Sequence, residues 1–107
     1  MKEQEYCAVE IAFGDSDLAE DFIRQALDAR LIASAQIVHS SSTWNWEDQR
    51  ESAEEYLVFS KTRSDLTEEL HNLASSTHDY QTFEFAIFPM QTIGEDYQDW
   101  LENELRD

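Results

Sequence analysis

Thr43-Trp-Asn-Trp-Glu-Asp-Gln-Arg-Glu-Ser-Ala-Glu-Glu-Tyr-Leu-Val-Phe-Ser-Lys-Thr62 sets two tryptophans, a charged turn and a second apolar run in sequence. The pattern predicts a long β-hairpin. Residues two apart on an extended strand share a face, so Trp44 and Trp46 place two large indoles side by side. A chain of 107 residues has little core with which to cover them. The nearest candidate cover is another copy of the chain. The turn falls near Glu47-Asp48-Gln49-Arg50, where Asp48 substitutes for a turn glycine because Asp tolerates left-handed backbone angles.

Outward from the hairpin, Glu5 to Phe13 alternates as a strand, with Cys7, Val9, Ile11 and Phe13 on its apolar face. Gly14-Asp15-Ser16 ends it, and Asp15 or Ser16 offers an oxygen to cap a helix. In that helix Leu18, Ala19, Phe22, Ile23, Ala26 and Leu27 form one apolar stripe. The first hairpin arm runs from Ile32 through Val38 and on to Glu47, with a bend expected at Ser40 to Ser42. The second arm, Glu54 to Lys61, is apolar on both faces at Tyr56 to Phe59 and so reads as an inner strand. Thr62 to Asp65 fits a capping box, and Leu66, Leu70, Leu73 and Ala74 mark a second helix ending near Ser75-Ser76. Phe83 to Phe88 is the fourth strand, closed by Pro89. Gly94-Glu95-Asp96 opens a last helix whose Tyr97, Trp100, Leu101 and Leu105 are expected to share a face.

The order is β-α-β-β-α-β plus a C-terminal helix. This is an α+β, ferredoxin-like arrangement, an antiparallel four-stranded sheet with both main helices on one side, spanning residues 1–107 as one domain. One sheet face is left bare, carrying Tyr6, Ala8, Trp44 or its neighbour, and the outward residues of Tyr56 to Phe59. Its burial in a homo-oligomer is the economical solution.

Charge narrows the function. Twenty-four acidic residues against seven basic give a net charge of −17. Nucleic acid and anionic membranes both demand a basic surface, so neither is an expected partner. The carboxylates read first as a solvated surface that keeps the protein soluble. Cys7 is the only cysteine, which excludes an intrachain disulfide or a CxxC site. The N-terminus lacks the apolar segment of a signal peptide, and the cytoplasm is the expected compartment. Neither a nucleophile elbow nor a phosphate-binding loop occurs, and no catalysis is expected.

Ala29-Arg-Leu-Ile-Ala-Ser-Ala, Ser42-Thr-Trp-Asn-Trp-Glu, Lys61-Thr62, His78-Asp-Tyr-Gln-Thr-Phe-Glu84 and Asp96-Tyr-Gln-Asp-Trp-Leu101 together resemble the CutA-type divalent-cation tolerance proteins, which are related in shape to the PII signalling proteins. The resemblance implies a homotrimer in which each hairpin extends a neighbour's sheet, and it implies no established catalytic reaction. In some members copper binding is attributed to a first-strand cysteine, a histidine before the fourth strand and a glutamate at its start. Here the cysteine position falls on Ile11, the second-strand cysteine is replaced by Ser34, and the usual His-Pro-Tyr reads His78-Asp79-Tyr80. Only His78 and Glu84 carry over.

Two readings of that pair stay open. As ligands for copper or zinc they lack a thiolate, which suits copper(II) or zinc weakly and copper(I) poorly. As structural residues, His78 caps the second helix and Glu84 pairs with an arginine or backbone amides. His39 and His71 read as surface residues. Trp44, Trp46, Tyr56, Tyr80 and Trp100 are the expected interface residues, and Tyr80, Trp100 and Trp46 alternatively line an intersubunit cleft for a small ligand. The function implied is a trimeric metal-ion binding or signalling module. A structural or protein-interaction trimer without metal and a PII-like metabolite sensor are the alternatives.

Overall fold

The computed structural model describes residues 5–92 and 94–107. Four strands form one sheet: β1 (Tyr6–Phe13), β2 (Ser34–Trp46), β3 (Gln49–Arg63) and β4 (Phe85–Met90). Three α-helices accompany them: α1 (Ser16–Asp28), α2 (Thr67–Thr77) and α3 (Glu95–Glu104). The sheet order is β2-β3-β1-β4, and every pairing is antiparallel. The fold is therefore the expected ferredoxin-like one, with β3 as an inner strand.

Alternation along β1 sorts its residues between the two faces. Cys7, Val9, Ile11 and Phe13 are buried on the face that packs with Ala19, Phe22 and Ala26 of α1 and with Leu70 and Ala74 of α2. Phe13 and Phe22 meet with ring centroids 5.6 Å apart. Burying each such side chain contributes about 1.5–3 kcal/mol. The opposite face carries Tyr6, Ala8, Glu10 and Ala12.

Asp15 caps α1, accepting from the backbone N–H of Asp17 at 2.7 Å and of Leu18 at 3.4 Å. The helix stops with Arg30 in the left-handed region (φ 58°), while Leu31 N–H donates back to Ala26 O at 3.0 Å. These are the bonds of a Schellman ending, made without the usual glycine. The C-terminal segment ties down this corner, because Arg106 N–H donates to Arg30 O at 3.0 Å.

The structure departs from the sequence expectation in five places. The Thr62 hydroxyl donates to Leu31 O at 2.6 Å inside the core, so it cannot cap α2. A 3₁₀ turn over Ser64–Leu66 leads into α2 instead, and no side chain caps the helix. The helix ends at Thr77 rather than at Ser75-Ser76. Ser40 to Ser42 do not break β2, because their backbones stay in the ladder opposite Glu55, Glu54 and Ala53. Pro89 lies within β4, where an edge position tolerates the missing N–H; Phe83 has left the strand and stacks on His78.

The bare face is also smaller than expected. Arg63 and Tyr6 point to that side, and both engage Glu102 of α3, with Arg63 Nη1 at 2.9 Å and the Tyr6 hydroxyl at 2.6 Å. Helix α3 thus covers one end of the face. Its Leu101 and Leu105 are buried, whereas Tyr97 and Trp100 stack on each other at 5.9 Å on the exposed side.

β1 pairs with β3 no further than Phe13↔Tyr56. From Ser40↔Glu55 to Trp46↔Gln49 the hairpin continues alone as a two-stranded ribbon of seven residue pairs, roughly 23 Å long at strand rise. The ribbon makes the molecule elongated, 48 × 24 × 22 Å. Glu47 (φ 49°) and Asp48 (φ 64°) form its two-residue loop, both left-handed, as a type I′ turn requires. Neither residue is glycine. Asp48→Gly is therefore expected to stabilise the chain by roughly 0.5 kcal/mol, relief of left-handed strain being partly offset by backbone entropy. Thermal unfolding should show this as a rise in Tm of about 2–4 °C; a fall would mean that the Asp48 side chain contributes more than its backbone costs.

Candidate functional site

The uncovered part of the open face forms the floor of a cleft of about 870 Å³. Register sets Ala12 of β1 opposite Leu57 of β3, with Glu10 and Glu55 on the same face of the sheet, and puts Ser42, Trp44 and Trp46 of β2 on the same side as Glu51. The segment Tyr80 to Glu84, between α2 and β4, closes the opposite wall. Trp44 and Trp46 do share a face, and that face looks into the cleft. Trp44 is half-buried, while Trp46 at the ribbon tip is 46% exposed.

His78 organises the wall. Its side chain is fully buried, sandwiched between Phe13 and Phe83 with ring centroids 4.5 Å away on each side. Nδ1 accepts the Tyr80 backbone N–H at 3.0 Å, which leaves Nε2 to carry the proton and donate to Ala12 O at 2.7 Å. Both nitrogens therefore serve the backbone, one holding the loop and the other the end of β1. A metal would reach this ring only by breaking one of those bonds. His78 also occupies the C-cap position of α2, its N–H donating to Ala74 O at 2.8 Å; its ring, however, points to β1 rather than to the helix carbonyls.

Among the described residues Glu84 pairs with no arginine. It meets Glu10, and the hydrogen bond between the two carboxyls, with partial burial and the charges of Glu10 and Glu55, pushes Glu84 up to about 7. Glu55 is the most enclosed of the three, 6% exposed, and accepts the Tyr80 hydroxyl at 3.2 Å. Burial, then the Glu55 charge, raises the Tyr80 phenol above its ordinary value, so it acts as a donor. Gly14 lies against the same ring: a Cβ there would run into the Tyr80 hydroxyl. Among the described residues no group of three His, Cys, Asp or Glu side chains is placed to hold a metal ion.

The remaining candidates scatter. Tyr56 is on the helix side of the sheet, stacked on His39 at 5.0 Å, while His39 Nε2 lies 3.1 Å from Glu54. His71 packs against Phe83 and Phe85. Trp100 is 43% exposed on α3. Glu10 and Glu55 were not singled out from the sequence. Glu10 offered a signal, because it is the one charge among the open-face positions Tyr6, Ala8, Glu10 and Ala12.

A carboxyl held more tightly by its proton when folded than when unfolded adds stability below its unfolded value near 4.5 and loses that contribution as pH rises through about 7. Urea unfolding across this interval should show stability falling more steeply with pH in the wild type than in Glu84→Gln. Parallel profiles would mean that the Glu10–Glu84 pair has no energetic coupling.

A model of the CutA1 divalent ion tolerance protein family matches residues 7–104. The divalent-cation tolerance protein CutA of Pyrococcus horikoshii is 32% identical over 94 residues, which cover 88% of this chain and 92% of that one. A crystal structure of CutA1 from Pyrococcus horikoshii aligns with a TM-score of 0.88 at 30% identity, covering 94% of this chain and 99% of the other. The fold also matches a structure from Archaeoglobus fulgidus described as a periplasmic divalent cation tolerance protein CutA, with a TM-score of 0.91 at 24% identity and coverage of 94% and 99%. Among the described residues no helix is long and apolar enough to cross a membrane. With the order of elements, the long hairpin and these matches in agreement, the chain belongs to the CutA1 divalent ion tolerance family.

Proposed function

We propose that the chain acts as a homotrimer in divalent-cation tolerance, binding or signalling metal ions without turnover. The ribbon carries the assembly part of this reading. A two-stranded hairpin with only solvent beyond it is marginal in water, yet this one extends seven residue pairs past β1 and ends in an exposed Trp46. Among the described residues β2 also has a strand partner on one side only, and such an edge recruits another strand. Ile37, Val38, Ile87 and Phe88, all exposed on the two edge strands, support the same conclusion. Trimer formation places Trp44 and Trp46 against a neighbour, with Tyr80 at the rim. We assign the protein to the cytoplasm, where its single buried thiol, Cys7, stays reduced.

For the ion, copper or zinc, we assign Glu84 as the ligand and His78 as the residue that fixes the loop carrying it. Metal donors beyond Glu84 then come from a neighbouring subunit, since no three-donor group exists among the described residues of one chain. The engaged nitrogens of His78 favour the alternative of a structural or protein-interaction trimer without metal. Calorimetric titration of copper(II) and zinc separates the two. Metal binding predicts a saturable heat in the wild type that disappears in Glu84→Gln; no saturable heat with either metal leaves the structural trimer.

Light scattering should give three times 12.5 kDa. Trp46→Ala removes little buried surface within one subunit, so its cost should fall on assembly, roughly 3 to 5 kcal/mol of trimer stability. Dissociation on dilution with an unchanged far-ultraviolet circular dichroism spectrum is the expected result. A trimer that persists in the variant would show that this indole is no anchor.

A further inference from the structure

We infer that assembly is controlled by ionic strength, repulsion between acidic ribbons leaving the trimer loose in dilute salt and tight in near-molar salt. This rests on the trimer reading and adds the condition under which that trimer holds. Charge on the ribbon is laid out by strand. β2 carries no Asp, Glu, Lys or Arg from Ser34 to Trp46, so the edge it leaves open among the described residues is uncharged. The turn and the returning strand carry five carboxylates, Glu47, Asp48, Glu51, Glu54 and Glu55, against the single guanidinium of Arg50. Arg50 Nε donates to the Asn45 amide oxygen at 2.7 Å, and Glu54 has the imidazole of His39 at 3.1 Å. Among the described residues Arg24, Arg63 and Arg106 make their ion pairs elsewhere, with acids of the helical segments. The ribbon is thus a negatively charged arm on a chain whose net charge is already −17.

That layout determines how salt acts. Charges buried in a contact are screened little, whereas exposed charges more than a Debye length apart are largely screened. The ribbon carboxylates stand one strand, about 4.8 Å, behind the uncharged edge, and packed sheets lie about 10 Å apart. Acids of neighbouring ribbons are therefore separated by roughly one Debye length at 0.1 M salt, about 10 Å, but by about three at 1 M, where that length is about 3 Å. Repulsion survives in the first condition and is lost in the second. The attraction is of another kind. Val38, Trp46 and Phe88 are exposed apolar groups, and the drive to bury them is a property of apolar surface in water, not of charge. Screening removes the opposing force and leaves this one in place.

Sedimentation velocity over a concentration series, in 0.1 M and in 1 M potassium chloride, provides the test. The chain concentration at which half the protein is trimeric should be about a hundredfold lower at 1 M, with the same far-ultraviolet circular dichroism in both salts. In a variant carrying Glu47→Asn, Asp48→Asn and Glu51→Gln, that concentration should be low in both. Asn tolerates the left-handed turn, and Glu54 and Glu55, which bond Ser41 and Tyr80, are left in place. If circular dichroism shows this variant to be misfolded, Glu51→Gln alone takes its place and should show a smaller salt response than the wild type. An equally tight trimer in both salts, a salt response undiminished in the folded variant, or a wild type that unfolds at 0.1 M overturns the inference. The first of these results leaves the trimer reading standing, whereas a monomer at 1 M removes both.

Discussion

Strand length governs this molecule. β3 has fifteen residues and β1 only eight, so the inner strand outruns the partner that should cover it and drags β2 along. Inside the sheet, β3 is held on both sides and its Val58, Ser60 and Thr62 are buried. Towards the turn from Tyr56, the same strand has β2 as its one partner among the described residues. The ribbon holds its shape through cross-strand hydrogen bonds and pairs such as Ser41 with Glu54 and Arg50 with Asn45, contacts that are individually worth little when exposed. A chain with so few glycines spends two left-handed non-glycine residues to turn this hairpin, a conformational cost that makes sense only if the ribbon is used.

The cleft follows from the same geometry. Because the ribbon continues beyond β1, its indoles overhang the place where β1 ends, and the loop after α2 rises opposite them. That loop owes its position to His78. A histidine with neither nitrogen free, packed between two phenylalanine rings, behaves as a rivet between β1 and the loop, and what it holds in place is Tyr80 and, beyond it, Glu84. Here the imidazole does the work of two backbone hydrogen bonds that the loop cannot make for itself.

The fold was legible because its signals are local. Alternation in Cys7 to Phe13 and the apolar stripe of α1 each specify an element from residues near in sequence, and Asp15-Ser16 announces a cap in the same way, with the structure choosing Asp15. Thr62 misled for a physical reason: its hydroxyl has two uses, capping a helix or bonding a distant carbonyl, and only the folded position of Leu31 decides between them. The serines of β2 misled likewise, since nothing local shows that Glu54 and Glu55 will hold the ladder opposite them. In the cleft, Glu84 was found by resemblance and the paired tryptophans by spacing. Glu10 and Glu55 lie 45 residues apart in the chain and become neighbours of Glu84 only through the register of three strands. The availability of His78 was equally hidden, because it depends on Ala12 and Phe13, far upstream.

Gly14 gives the cleft an unexpected dependence. It follows β1 directly, carries no functional group, and reads in the sequence as a simple end to a strand. Yet the space a side chain would fill there is already taken by the Tyr80 hydroxyl, the group that donates to Glu55. A residue without a side chain is thus a mould for one wall of the cleft. Any branch added at Gly14 would displace the Tyr80 hydroxyl and with it the hydrogen bond to Glu55, so a change at this position alters the shape and charge of a wall that Gly14 does not itself line.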